Sequence, residues 1–369
     1  MNQLFRWDQM GLFLLALAAG ILPFAVPEVC AAALREGLTL CSGPLLLSLF
    51  PFLVVSRLLI QCPESDLLAL PFRLAAWGIG IRTPCAARVL CIGFLGGFAP
   101  AASAAAQAVR TGQLTAEEAD ALLPACICSG PSFVVLTVGQ SLLGSAELGV
   151  LLFASQITAN YLTAALLNRF AGVHSVKPGS AAPASPAPPR LDEILADAAI
   201  TYCKLCGFIL FFRLLAAGAG ALLPAGAGTL CAVLLEVCSG CDLASRTGRL
   251  GSLLCCAALS VQGLSVLLQV RTICPPEMTL RPLYWARMLH LPLSLALFYL
   301  LLPGGEADVF STLPARVLLM RRVPPDCALL VFAVCCMAAC TLRSGIRQVE
   351  QKQMARNAGG CCINSKTLL

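Results

Sequence analysis

"CICSGPSFVVLTVG", residues 126–139, sets Ser129-Gly130-Pro131-Ser132 inside an apolar run. Proline lacks a backbone N–H and clashes with the preceding turn, and glycine loosens the chain, so a helix entering this stretch breaks there. A break leaves N–H and C=O groups without helical partners, and lipid supplies none. Such backbone is tolerated at membrane depth only where protein buries it or where it lines a watery cavity. Far downstream, "SVQGLSVLLQV" (260–270) sits in a similar setting.

The surrounding chain reads as an integral membrane protein. Of 369 residues, 58% are hydrophobic and 12% charged, against roughly a quarter charged in soluble domains. Apolar runs at 10–26, 36–60, 148–167, 198–217, 283–302 and 326–342 come near the ~20 residues that cross ~30 Å of hydrocarbon. The first is read as an uncleaved helix rather than a secretory signal, because it is long and further spans follow. The net charge of +6 comes from scattered basic residues without interleaved aromatics, which argues against nucleic acid. Those residues report topology instead. Arg343, Arg347, Lys352, Arg356 and Lys366 against Glu350 place the tail in the cytoplasm. "SVKPGSAAPASPAPPRLDEI" (175–194) reads as a semi-flexible linker, also cytoplasmic. The expected organisation is an N-terminal half (1–170), a linker (171–195), a C-terminal half (196–342) and a basic tail (343–369).

The 21 cysteines are an odd number, so they cannot all pair. Cys203 with Cys206, and Cys238 with Cys241, have C-x-x-C spacing, yet His174 and His290 are the only histidines and neither is near a pair. The thiols read as small packing groups in helices, so neither a metal nor a cofactor is expected. No nucleophile, base and orienting group converge, so the chain does not read as an enzyme.

A repeat links the two breaks. "RTGQL" (110–114) matches "RTGRL" (246–250), and Gly130 and Ser132 then align with Gly263 and Ser265, the glycines falling 20 and 17 residues after the arginine. Each unit reads as a helical hairpin followed by a broken helix. "PCAARVLCIGFL" and "APAASAAAQAVR" flank Gly96-Gly97, and legs of about 12 residues reach only ~18 Å, so the pair is expected to dip in and return. Thr115 and Glu118 form a capping box that starts the next helix, with Glu117, Glu118 and Asp120 as its solvated acidic end. An odd number of crossings between the hairpins inverts the second. The expected fold is an all-α polytopic membrane protein of about eight transmembrane helices with two re-entrant hairpins in an inverted repeat.

Paired broken helices at matching positions point to a transporter binding site, whose half-helix N-termini, after Pro131 and after Gly263, suit an anion. The first break offers Ser129, Gly130, Pro131, Ser132 and Thr137; the second half offers Glu236, Ser239, Gln262, Gly263, Ser265 and Gln269. A hydroxyl in a membrane helix often only bonds the preceding turn. Glu236, in "TLCAVLLEVCSG", is costly in an apolar run and is expected to be protonatable or paired with a cation. Gln262 and Gln269, seven apart, are expected on one pore-side helix face.

"GFLGGFAPAASAAAQAVRTGQLTAEEADALLPACICSGPSFVVLTVG", with "LLEVCSG" and "QGLSVLLQV", resembles the sporulation integral membrane protein YlbJ family (stage V sporulation protein VV), whose members carry the nucleoside-recognition Gate domain. The likeness runs from about residue 45 to 302. It implies a fold similar to concentrative nucleoside transporters and a role in endospore formation, moving dipicolinic acid from the mother cell across the outer forespore membrane. It also implies that Ser129, Gly130 and Pro131 form the first break, Glu236 and Gly240 precede the second hairpin's turn, and Gly263, Leu264, Ser265 and Gln269 form the second break. Ile127 and Cys128 stand where paired asparagines would be expected, Leu95 and Gly96 where a proline and a second polar residue would follow Gly93, and no histidine lies near Leu267 or Leu268. These departures strip polar groups from the site. The expected partners are dipicolinate, membrane lipid, and further copies of the chain or other sporulation membrane proteins. The coupling ion stays open. Two alternatives stand beside this reading: a non-transporting sporulation scaffold, and a carrier of nucleosides or other small organic anions.

Overall fold

A computed structural model describes residues 2–61, 67–171 and 191–302. The sixth apolar run, the tail and most of the linker lie outside the described residues.

Among the described residues the chain is helical and without strands. The helices are α1 (Asn2–Ala25), α2 (Pro27–Ser42), α3 (Pro44–Gln61), α4 (Leu70–Gly78), α5 (Pro84–Gly96), α6 (Phe98–Arg110), α7 (Ala116–Cys126), a π-helix (Ser132–Leu142), α8 (Ala146–Ala171), α9 (Leu191–Leu222), α10 (Ala225–Leu235), α11 (Val237–Ser245), α12 (Gly251–Val261), α13 (Gly263–Ile273) and α14 (Arg281–Leu301). Proline opens α2, α3 and α5, where its missing N–H costs nothing because that group has no helical partner anyway.

Among the described residues three stretches, Ala146–Ala171, Leu191–Leu222 and Gly251–Ile273, are long and apolar enough to cross a membrane, and a fourth joins them if α1 and α2 count as one bent span. Large apolar side chains such as Phe24, Leu74, Trp285, Tyr299 and Leu300 lie exposed, an outer surface that fits lipid and not water. The chain fits an integral membrane protein. The runs expected at 148–167, 198–217 and 283–302 fall on α8, α9 and α14. Two expectations are corrected. The run 36–60 is not one helix, because it divides at Gly43 where Pro44 cannot donate to the preceding ladder. The linker also ends earlier than residue 195: α9 begins at Leu191, with Asp192 and Glu193 in a first turn that favours acids.

Two pairs of short helices stand out. α5 and α6 have 13 residues each, and α10 and α11 have 11 and 9; at 1.5 Å per residue each leg is ~20 Å or less. Within each pair the legs pack on each other. Both pairs end in the RTGxL turn, and Gly112 and Gly248 share the same φ of +68°. Thr111 and Thr247 each donate a hydroxyl three residues back, to the carbonyls of Ala108 and Ala244.

The capping box at the start of α7 is present: Glu118 N–H donates to Thr115 Oγ1 at 3.1 Å, and Thr115 N–H to Glu118 Oε2 at 3.2 Å. The acidic end is not solvated as expected, since only Glu117 is exposed while Glu118 and Asp120 are buried. The reason is tertiary, as α7 packs against α5 and α14. Glu118 accepts the Thr83 hydroxyl at 2.6 Å. Asp120 accepts Thr279 N–H, Thr279 Oγ1–H and Leu280 N–H at 2.8, 2.7 and 3.1 Å. Leu280 has φ +58°, uncommon for a branched residue, so the carboxylate holds a strained lead-in to α14. Asp120→Ala strands three donors, and thermal unfolding of the detergent-purified protein should show a loss of about 3 kcal/mol, since a charged hydrogen bond contributes about 1.5–3.

Candidate functional site

α7 ends at Cys126 and the π-helix opens at Ser132, so the first break lies where the sequence places it. Gly97, the link between α5 and α6, has φ +81° and ψ −163°, a region open essentially to glycine alone. A Cβ added there would sit 2.6 Å from Gly130 N. The tip of the first short pair therefore rests on the first break, backbone against backbone. The second half makes the same crossing with the glycine on the other partner. Gly263, opening α13, has φ +71°, and its Cβ would sit 2.9 Å from Leu235 O and 3.0 Å from Glu236 N, at the tip of the α10–α11 pair. The two breaks also meet each other, Gln262 Nε2 donating to Ser129 Oγ at 3.4 Å.

A cleft opens over this junction, with an empty volume of about 570 Å³, part of it open to the outside. Ser129, Gly130 and Ser132 line it from the first break, Gly96 and Phe98 from the first tip, and Glu236 and Gln269 from the second half. Leu45, Leu49 and Ile209 form apolar wall. Among the described residues the lining contains no lysine, arginine or histidine. Three helix N-termini reach it: α6 at Phe98, the π-helix at Ser132 and α11 at Val237. The first two carry no side-chain cap, so their positive ends are left to whatever occupies the cleft. The third is filled by the chain itself. Glu236 accepts Cys238 N–H through Oε1 at 2.8 Å and Ser239 N–H through Oε2 at 2.7 Å.

Of the sequence-derived candidates, Ser129, Gly130, Ser132, Glu236 and Gln269 line the cleft, and the expected roles of several are corrected. Glu236 is 2% exposed, and its hydrogen-bond partners are backbone N–H groups at a helix start; of the two expectations, a protonatable group or a cation pair, the side-chain cation is not what these bonds show. Ser239 belongs to that cap through its N–H. Gln262 and Gln269 do not share one helix face: Gln262, at φ +65°, is itself the break between α12 and α13, so the seven-residue spacing does not run along a continuous helix. Gln269 lines the cleft and donates to Ser265 Oγ at 2.8 Å. Its Oε1 is buried without a hydrogen-bond partner. Gly240 stands away from the cleft and lets α11 approach α10, since a Cβ there would lie 2.8 Å from Val233 Cα. Pro131 sits between two lining residues as the N-cap of the π-helix.

Behind the breaks lies a polar layer that the sequence reading passed over. Arg287 on α14 donates to Ile127 O at 3.0 Å, Asn160 Oδ1 at 3.1 Å and Ser260 O at 3.4 Å. Asn160 Nδ2 donates to Ile127 O at 3.3 Å, and Gln156 Nε2 to Ser260 Oγ at 3.0 Å. His290 Nε2 lies 3.1 Å from Gln156 O. The available signal was Arg287 and His290 themselves, ionisable groups inside an apolar run.

Compared with protein-family models, curated proteins and solved structures, the chain matches none.

Proposed function

We propose that this protein is an integral membrane carrier of small organic anions, with dipicolinate the substrate that the sporulation-family resemblance implies. The observation that carries the reading is the Ser129–Gln262 junction, where breaks from the two halves meet beneath one cleft. Unwound backbone at such a junction is what carriers use to bind and release solute. Two uncapped helix N-termini supply N–H donors and partial positive charge, while the walls suit an aromatic ring. The described lining residues carry no cationic side chain, which fits a site that must let its anion go.

In this reading the two short pairs are re-entrant hairpins of an inverted repeat, entering about eight spans from opposite faces of the outer forespore membrane. The shared RTGxL turn and the glycine crossing at each tip support that pairing. The Glu236 cap favours a second reading, a sporulation scaffold that keeps the hairpins as architecture only. Uptake by the purified protein in liposomes separates them. Saturable accumulation of labelled dipicolinate above that of protein-free liposomes is expected. A folded protein with no such uptake supports the scaffold, and uptake of nucleosides that dipicolinate does not inhibit supports the nucleoside alternative.

A further inference from the structure

A helix broken in mid-membrane exposes a negative carbonyl end as well as a positive amide end. In this protein the amide ends at Phe98 and Ser132 face the cleft. The carbonyl ends of α7 and α12 turn the other way, and both are met by one side chain. Arg287 Nη2 donates to Ile127 O, the C-cap of α7, and Nη1 donates to Ser260 O in the last turn of α12. Two further carbonyls of that α12 turn are engaged elsewhere, Ala258 O by Gln262 N–H and Leu259 O by Gln262 Nε2.

We infer that Arg287 is the positioning residue of this junction, a single guanidinium that fastens the carbonyl ends of both broken helices to α14 and so sets the register in which their other ends face the cleft. The charge balance supports it. Arg287 is 7% exposed, and its hydrogen-bond partners are two backbone carbonyls and an amide oxygen. Each helix C-terminus carries roughly half a negative charge, so two ends together offset about one guanidinium. Asn160 fixes the fork, its Oδ1 accepting from Arg287 and its Nδ2 donating to the same Ile127 carbonyl. The planar fork matters: it can span two acceptors in fixed geometry, and a lysine ammonium on a flexible stem cannot reproduce that. The tie joins the two halves of the chain, since Ile127 and Ser260 belong to different repeats. A movement of one half against the other therefore has to release one end.

Backbone hydrogen exchange tests the tie without assuming transport. In Arg287→Met, exchange is expected to rise about tenfold or more in both 126–133 and 259–266, with 198–216 in α9 unchanged. In Arg287→Lys one point charge serves one carbonyl end, so only one of the two segments is expected to loosen. A second readout rests on the carrier reading: in Arg287→Lys the KM for dipicolinate uptake is expected to rise about tenfold with the maximal rate held within about twofold, the mark of lost positioning in the bound state. Unchanged exchange in both variants overturns the inference. So does a rise spread evenly through the chain, or the loss of both variants from the membrane, since either makes Arg287 a general stabiliser. If the wild-type protein shows no uptake, the carrier reading fails while the exchange result still decides the role of Arg287.

Discussion

Gly97→Ala is expected to lower the stability of the folded protein by about 3 kcal/mol and, under the proposed carrier function, to abolish dipicolinate uptake, while Gly130→Ala, at the other side of the same contact, changes little. Two costs add at residue 97. Its φ of +81° with ψ −163° lies where a side chain costs about 1–3 kcal/mol. The new methyl would also sit 2.6 Å from Gly130 N and 3.0 Å from Gly130 Cα, and forcing packed backbone apart costs about 1–3 kcal/mol more. Neither cost applies at Gly130, where a Cβ would meet Gly96 O at 3.4 Å, an ordinary contact. Uptake suffers because the displaced partner is the break itself, and Ser129, Gly130 and Ser132 are cleft wall. Thermal unfolding and liposome uptake of both variants check the contrast. Equal effects at the two positions would mean that the tip does not rest on the break.

That asymmetry shows how far the sequence could be read. Proline and glycine at 130–131 announce a broken helix because their backbone chemistry acts locally, and the Thr115–Glu118 box announces a helix start for the same reason. The RTGxL turn is also local, and its match between halves was legible. What the sequence leaves hidden depends on which segment comes to lie opposite. "GGF" reads as a turn, but nothing in it says that Gly97 faces Gly130 N and not open space. Asp120 looks like a solvated cap until the lead-in to α14 is brought onto it. Arg287 was visible as a charge in an apolar run, yet its partners are mainly main-chain carbonyls, which leave no pattern in a sequence. Glu236 is legible for the cost of a buried carboxylate, which points to a protonatable group or a cation partner, but that cost says nothing of the main-chain N–H groups it accepts. Glutamate is a less usual N-cap than Ser, Thr, Asp or Asn, so the rule for buried charge outweighed the rule for helix starts.

The observed cap changes what substitutions at Glu236 should do. Both carboxylate oxygens accept N–H groups, from Cys238 and Ser239 at the N2 and N3 positions of α11. Glu236→Gln keeps the size but sets an amide NH2 against one of those donors, and a buried donor left without an acceptor costs about 1–3 kcal/mol. Stability is therefore expected to fall by about that amount, and uptake with it, because the loosened tip at residues 235–236 is the surface on which Gly263 is seated. Two further variants separate cap from charge. Asp at an N-cap reaches the same amides from a shorter stem, so Glu236→Asp is expected to retain stability and uptake. Ser also caps a helix but carries no charge, so Glu236→Ser is expected to keep most of the stability and most of the uptake per folded molecule. Uptake that follows the order Asp, Ser, Gln assigns Glu236 to the geometry of the tip. A Glu236→Ser protein that is stable yet inactive would overturn this and return the carboxylate's charge to the transport cycle.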